Sequence, residues 1–277
     1  MGVPRAWLRG RKWEPKLTVP PIEASADEAT TAYVPRTGWP AWAVLPAAVV
    51  MGLLSIAISI GASLAVVFLS GQGETGWEAA LMSPLSLAVG LLAGQIPLIL
   101  LTWGAAGFYS SNRSEMLALR PPRGGWKVAF LALIPLFVIT GVWTALVAAW
   151  KPEVVVGDLR LIGDLIQKEP VLALLAIGIG APLSEELMFR GFLFSGLAKS
   201  RLGLWGAAGI TSALWTVIHG YSVFGLIEVM AIGLYLSWLL MRTGSVWVTI
   251  FCHAVYNTVI GVALYFITLP SLPVPSP

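Results

Sequence analysis

The sequence predicts an all-α, polytopic membrane protein of about seven transmembrane helices, or eight if one of its longest runs breaks. Three observations carry that prediction. Of 277 residues, 57% are hydrophobic and 11% charged, whereas soluble domains carry about 25% charged residues, and mean hydropathy is +0.82. Spanning a hydrocarbon core of about 30 Å takes about 20 apolar residues, and seven runs come close to or exceed that length. Finally, Lys and Arg gather in alternate connections between those runs.

Residues 1–38 open with a basic, proline-containing stretch (Arg5, Arg9, Arg11, Lys12, Lys16). With no short apolar segment ahead of the first run, they read as a flexible cytosolic tail rather than a signal peptide. Ala6 stands where a myristoylation signal needs Ser or Thr. The transmembrane domain then covers 39–269, followed by a short tail, 270–277. Runs 39–69, 84–108 and 126–150 have interiors free of charge, with Gln95 the main polar interruption, and read as scaffold. Between the third and fourth runs, residues 155–168 mix apolar and charged positions at helical spacing, the pattern of an interfacial helix. The fourth run, 171–197, contains Pro182, the expected break point because proline removes a backbone donor. In the fifth run, 204–219, Gly203, Gly206 and Gly209 are expected to admit close helix neighbours. Runs 224–241 and 246–267 complete the set, and no internal repeat is visible.

Charge orients these runs. Arg113, Arg120, Arg123 and Lys127 follow the second run, Lys199 and Arg201 the fourth, and Arg242 the sixth. The alternate connections lack Lys and Arg or are mixed, with Glu153, Asp158, Asp164 and Glu169 against Lys151, Arg160 and Lys168. By the positive-inside rule the N-terminus is cytosolic. The net charge of +3 follows from this topology and implies no nucleic-acid partner. A bacterial plasma membrane is the expected setting. The single cysteine, Cys252, says nothing about redox compartment and reads as a lipid-facing or packing residue.

The ionisable residues inside the runs carry the functional signal, since such groups are costly in a bilayer and persist mostly where they pair or line a cavity. Glu185, Glu186 and Arg190 lie in the fourth run, His219 ends the fifth, and His253 and Asn257 lie in the seventh. At about 1.5 Å per residue, Glu185 lies roughly 20 Å from the cytosolic end of its run, Asn257 roughly 18 Å and His219 roughly 24 Å. One site between helices four, five and seven is therefore expected, open to the cytosol or to a lateral cleft. Glu186 and Arg190, spaced i, i+4, can pair on one face. Glu185 is about 100° away round the helix, without that partner, and suits a general base facing His219 and His253. Trp215 and His219 share a face, as do His253 and Asn257. Glu228, near the outer end of the sixth run, reads as an interhelical contact. A base, two imidazoles, an amide donor and a locked ion pair are the components of water-dependent peptide hydrolysis.

The motifs resemble a known family. Glu185-Glu186-Leu187-Met188-Phe189-Arg190 is similar to the EExxxR motif of the CPBP intramembrane proteases, the group that includes CaaX-processing Rce1-type enzymes and bacterial Abi proteins. Trp215 to His219 resembles its FxxxH motif with Trp in place of Phe, and His253 to Asn257 its HxxxN motif. Thr243-Gly244-Ser245-Val246-Trp247 resembles the segment that precedes the family's last motif. The likeness covers roughly residues 170–260. It implies an intramembrane endopeptidase acting on a membrane-associated protein or peptide, in which Glu185 and His219 activate water while His253 and Asn257 form the oxyanion hole. That mechanism needs no cofactor. Some family members have been described as metalloproteases, and a zinc site of Glu185, His219 and His253 is the alternative, although no HExxH pair is present. Two other classes fit the same residues: a catalytically silent scaffold or bacteriocin-immunity protein of the same fold, and an ion-coupled transporter.

Overall fold

The computed structural model describes residues 32–71, 76–109 and 112–270. The expected tails therefore fall outside the described residues over 1–31 and 271–277. Ten helices are present among the described residues: α1 (Ala41–Ser70), α2 (Trp77–Leu81), α3 (Pro84–Ala106), α4 (Arg113–Met116), α5 (Lys127–Trp150), α6 (Pro152–Lys168), α7 (Pro170–Ala198), α8 (Gly203–Val217), α9 (Val223–Thr243) and α10 (Val246–Phe266). Six of them, α1, α3, α5, α7, α9 and α10, are long and apolar enough to cross a membrane. The protein is a multi-pass, all-helical membrane protein. Helix α8, the fifth run of the sequence, has 15 residues and so extends about 22 Å, short of a full core.

Helices α1 and α3 pair through small residues. Ser55 Oγ donates to Gly94 O at 2.6 Å and Ser63 Oγ to Ser86 O at 2.9 Å. A Cβ on Gly90 would fall 2.2 Å from Ser63 Oγ, so only glycine lets the two backbones come this close. The glycines of α8 do no such thing: nothing beyond Leu202 lies near a Cβ at Gly206, and Gly203 and Gly209 face open space. Their expected close packing is corrected by the structure, because the crowded contact to α8 comes from its other side, where Gly233 of α9 meets Ser212 and Trp215.

Pro182 does not break α7. The helix runs unbroken over 29 residues because two wide, π-helical stretches, Leu174–Gly180 and Leu187–Leu193, flank a regular turn from Ala181 to Glu186. Spacing backbone bonds five residues apart, a π stretch would pair Pro182 with Ile177 O, and proline has no N–H to give. Asn257 Nδ2 supplies that donor, at 2.9 Å from Ile177 O. Gln95 Nε2 donates to the adjacent Ala176 O at 2.9 Å, which accounts for the one polar side chain noted in the scaffold runs. Neither long run splits, so the eight-helix variant is not realised.

The two ends of the bundle differ. At one, Arg120 donates to Gly244 O at 2.8 Å and Ala32 O at 3.2 Å, Lys199 to Thr37 O at 2.5 Å, and Ser245 Oγ to Arg120 O at 2.5 Å. Arg36 pairs with Glu115 at this end. Residues 32–38, counted with the tail by sequence, pack here instead: Ala32 and Tyr33 both donate to Met241 O, and Tyr33 is 3% exposed, edge-on to Phe194. Burial pushes the Tyr33 hydroxyl up to about 12. At the other end, α6 begins three residues before the expected segment because Pro152 suits the first helical turn. Asp158 of α6 accepts from Ser222 N at 2.8 Å and Ser222 Oγ at 2.6 Å, tying α6 to the start of α9.

Candidate active site

Trp215 is the centre of the site, and its surroundings separate the two glutamates. Its indole Nε1 donates to Glu185 Oε2 at 2.5 Å. Its ring meets His219 edge-on at 4.7 Å and His253 at 5.3 Å, and the Arg190 guanidinium lies 4.6 Å from its centroid. Trp215 therefore contacts four of the six polar residues singled out by sequence. A phenylalanine could keep the ring contacts and could not hold Glu185.

On one side of Trp215 lies a dry ion-pair network. Glu186 and Arg190 are each 0% exposed. Glu186 Oε1 accepts from Arg190 Nη1 at 2.9 Å, the i, i+4 pairing expected from sequence. Arg190 Nη2 also donates to Gly233 O at 3.2 Å. His253 Nδ1 lies 3.0 Å from the same Glu186 oxygen, so Glu186 holds His253 as well as Arg190, a contact the sequence reading did not anticipate. Sequence spacing shows partners within one helix and cannot show one on α10.

On the other side is a cavity of about 420 Å³, lined by Glu185, Trp215, His219, His253 and Asn257 among mostly apolar neighbours. Its size is in the range of small-ligand and catalytic pockets. The expected convergence of helices four, five and seven is thus seen: α7, the end of α8 and α10 all face one space. His219 sits past the end of α8, half-buried, with Nδ1 2.7 Å from Trp215 O. A carbonyl only accepts, so Nδ1 carries the hydrogen, and in the neutral ring Nε2 is then the atom with the lone pair. One amide hydrogen of Asn257 is committed to Ile177 O, leaving the second.

Tyr221 was not singled out by sequence. It stands in the turn after His219, rings 5.7 Å apart, and lines the cavity. Burial, then Glu185, Asp158 and Glu228, push its hydroxyl up to about 12, so it remains a neutral donor. Glu228 is an interhelical contact as expected, accepting from Tyr256 OH at 3.0 Å and Thr144 Oγ1 at 3.2 Å, though it also lines the cavity. Cys252 is buried packing, its thiol 3.6 Å from Ala129 O. Among the described residues no three His, Cys, Asp or Glu side chains cluster closely enough to hold a metal ion. Glu185, His219 and His253 do not fit a zinc triad in this arrangement.

Residues 167–259, which hold every one of these motifs, match the family described as type II CAAX prenyl endopeptidase Rce1-like. The match covers about a third of the chain and shows a likeness to that family over this region. The chain is 30% identical over 95 residues to a Bacillus subtilis (strain 168) protein described as "Putative membrane peptidase YdiL", covering 34% of this chain and 38% of that one. It is 33% identical over 98 residues to an Escherichia coli protein described as "Uncharacterized 24.3 kDa protein", covering 34% of this chain and 45% of the other. The likeness thus spans less than half the length of these curated relatives. No solved structure matches. The matched region corresponds to α7–α10 with the last residues of α6, leaving α1–α5 outside the match.

Proposed function

We propose that the matched region is an intramembrane endopeptidase that hydrolyses a peptide bond of a membrane-associated protein or peptide with water as the nucleophile. One observation carries the reading: the Glu185 carboxylate is fixed through Oε2 by Trp215 while it faces a cavity also lined by His219, His253 and Asn257. In this mechanism water lies between the second Glu185 oxygen and His219 Nε2. Glu185 takes its proton as the oxygen adds to the carbonyl carbon. The oxyanion that develops accepts from the uncommitted Asn257 N–H and from His253 Nε2. Since Nδ1 of His253 faces the Glu186 carboxylate and donates to it, Nε2 can donate only from the doubly protonated ring. Glu186 would then be the counter-ion of that imidazolium as well as of Arg190. Collapse of the tetrahedral species breaks the C–N bond, and Glu185 returns its proton to the leaving amine.

The convergence of the basic loops at one end supports a cytosolic N-terminus, and relatives in Bacillus subtilis and Escherichia coli support a bacterial plasma membrane. The purified protein in proteoliposomes, incubated with a library of membrane-anchored peptides, should cleave at defined bonds. Glu185→Gln and His219→Ala should abolish cleavage. Equal cleavage by wild type and both variants would overturn the assignment, and a cellular phenotype that survives Glu185→Gln would favour the non-enzymatic scaffold.

A further inference from the structure

The cavity occupies one half of the bundle. Leu87 and Leu91 line it from the opening turns of α3, Trp143 and Val147 from the last third of α5, and Phe224 and Glu228 from the first third of α9. Helix α6 contributes Val155, Asp158 and Ile162, and the loop before α9 contributes Tyr221. All of these positions belong to the end where Asp158 is tied to Ser222. Toward the other end the cavity is floored by Trp215, 2% exposed, and by Glu186 and Arg190 beneath it. Beyond that floor lie the Arg120–Gly244 and Lys199–Thr37 contacts.

The charges of the two ends give the direction. The floor end holds Arg36, Arg113, Arg120, Arg123, Lys127, Lys199, Arg201 and Arg242 against Glu115 among the described residues. The mouth end holds Lys151, Arg160 and Lys168 against Glu78, Glu153, Asp158, Asp164 and Glu169. An excess of Lys and Arg in short connections marks the cytoplasmic side. The lining itself contains the carboxylates Asp158, Glu185 and Glu228 and no Lys or Arg. Its one candidate cation is the His253 imidazolium of the proposed mechanism, already paired with Glu186 and committed to the oxyanion, so a free C-terminal carboxylate would be buried without a counter-ion, which is costly.

We infer that the site takes its substrate from the extracytoplasmic face, as an internal apolar stretch of polypeptide and not as a free carboxyl terminus. The inference rests on the peptidase reading for its chemistry, and on lining and charge alone for its direction. Of the two openings expected from sequence, to the cytosol or to a lateral cleft, this inference sets aside the cytosolic one, because buried Trp215 and the Glu186–Arg190 pair lie on that side of the cavity.

Two measurements test it. In a Cys252→Ala background, single cysteines are placed at Tyr221 in the mouth, at Asp164 on α6 and at Arg201 at the floor end, and intact cells are treated with a membrane-impermeant maleimide. Tyr221→Cys and Asp164→Cys should label in intact cells to the same extent as after permeabilisation, and Arg201→Cys only after permeabilisation. The reverse pattern overturns the inference. Val155→Cys replaces Tyr221→Cys if that variant does not accumulate. Separately, an internally quenched apolar peptide, either amidated or with a free carboxylate, is added outside sealed right-side-out vesicles. Cleavage of the amidated peptide at least as fast as the free acid is expected. Preference for the free acid, or cleavage only after permeabilisation, overturns the inference. Absence of cleavage from either side and in detergent overturns the peptidase reading instead, while the labelling still decides which way the mouth faces.

Discussion

The two faces of Trp215 hold neighbouring residues of the same helix in opposite conditions. Beneath it, Glu186 is fully buried and shared between Arg190 and His253. Above it, Glu185 is half-buried, bound by one indole N–H, and faces a cavity. A carboxylate with two cationic or donor partners in a dry site is a structural anchor. One with a single donor and open space is free to exchange protons with a substrate or water. Adjacent glutamates with identical chemistry are thus divided by where one tryptophan lies.

Breaking the anchored face should have the largest effect on stability. Glu186→Ala leaves the Arg190 guanidinium buried without its partner, which typically costs about 3–5 kcal/mol. Thermal unfolding in detergent should drop by several degrees, with lower yield, whereas Glu185→Gln should leave the unfolding temperature unchanged. The link between the faces should be next. Trp215→Phe keeps the ring contacts and deletes a hydrogen bond to a charged group, about 1.5–3 kcal/mol. If that bond positions the base, kcat falls roughly tenfold to a hundredfold with KM unchanged. A fall in stability with kcat unchanged would make Trp215 packing alone.

The smallest effect tests Asn257. Its donation to Ile177 O stands in for the N–H that Pro182 lacks. Asn257→Ala should cost about 1–3 kcal/mol by leaving a buried carbonyl unsatisfied. Adding Pro182→Ala, which restores a backbone donor, should recover part of that stability without recovering cleavage. Recovery of both would remove Asn257 from the oxyanion hole.

Much of this was legible in the sequence, for reasons that also mark where legibility ends. Hydropathy identifies helices because a spanning segment must be apolar along its length, and all seven runs are helical. The Glu186–Arg190 pair follows from spacing because both partners lie on one helix. His253 on Glu186, Glu185 on Trp215 and Asn257 on Ile177 join different helices, and no single-sequence periodicity specifies which helices meet. Pro182 shows the same limit: its local rule, a break, is overridden by π-helical turns and a donor from 75 residues further along the chain. Trp215 had a visible signal, an indole where the resembling motif has phenylalanine, and the added N–H is the difference that matters.

The central claim, that Glu185 reacts and Glu186 anchors, is tested most directly by one paired measurement. Peptide cleavage and thermal unfolding are followed on the same preparations of wild type, Glu185→Gln and Glu186→Gln. The account predicts that Glu185→Gln loses activity by about 10²–10⁴-fold at wild-type stability, while Glu186→Gln loses stability and retains residual cleavage in its folded fraction. Full cleavage by Glu185→Gln, or wild-type stability with no cleavage in Glu186→Gln, would contradict it.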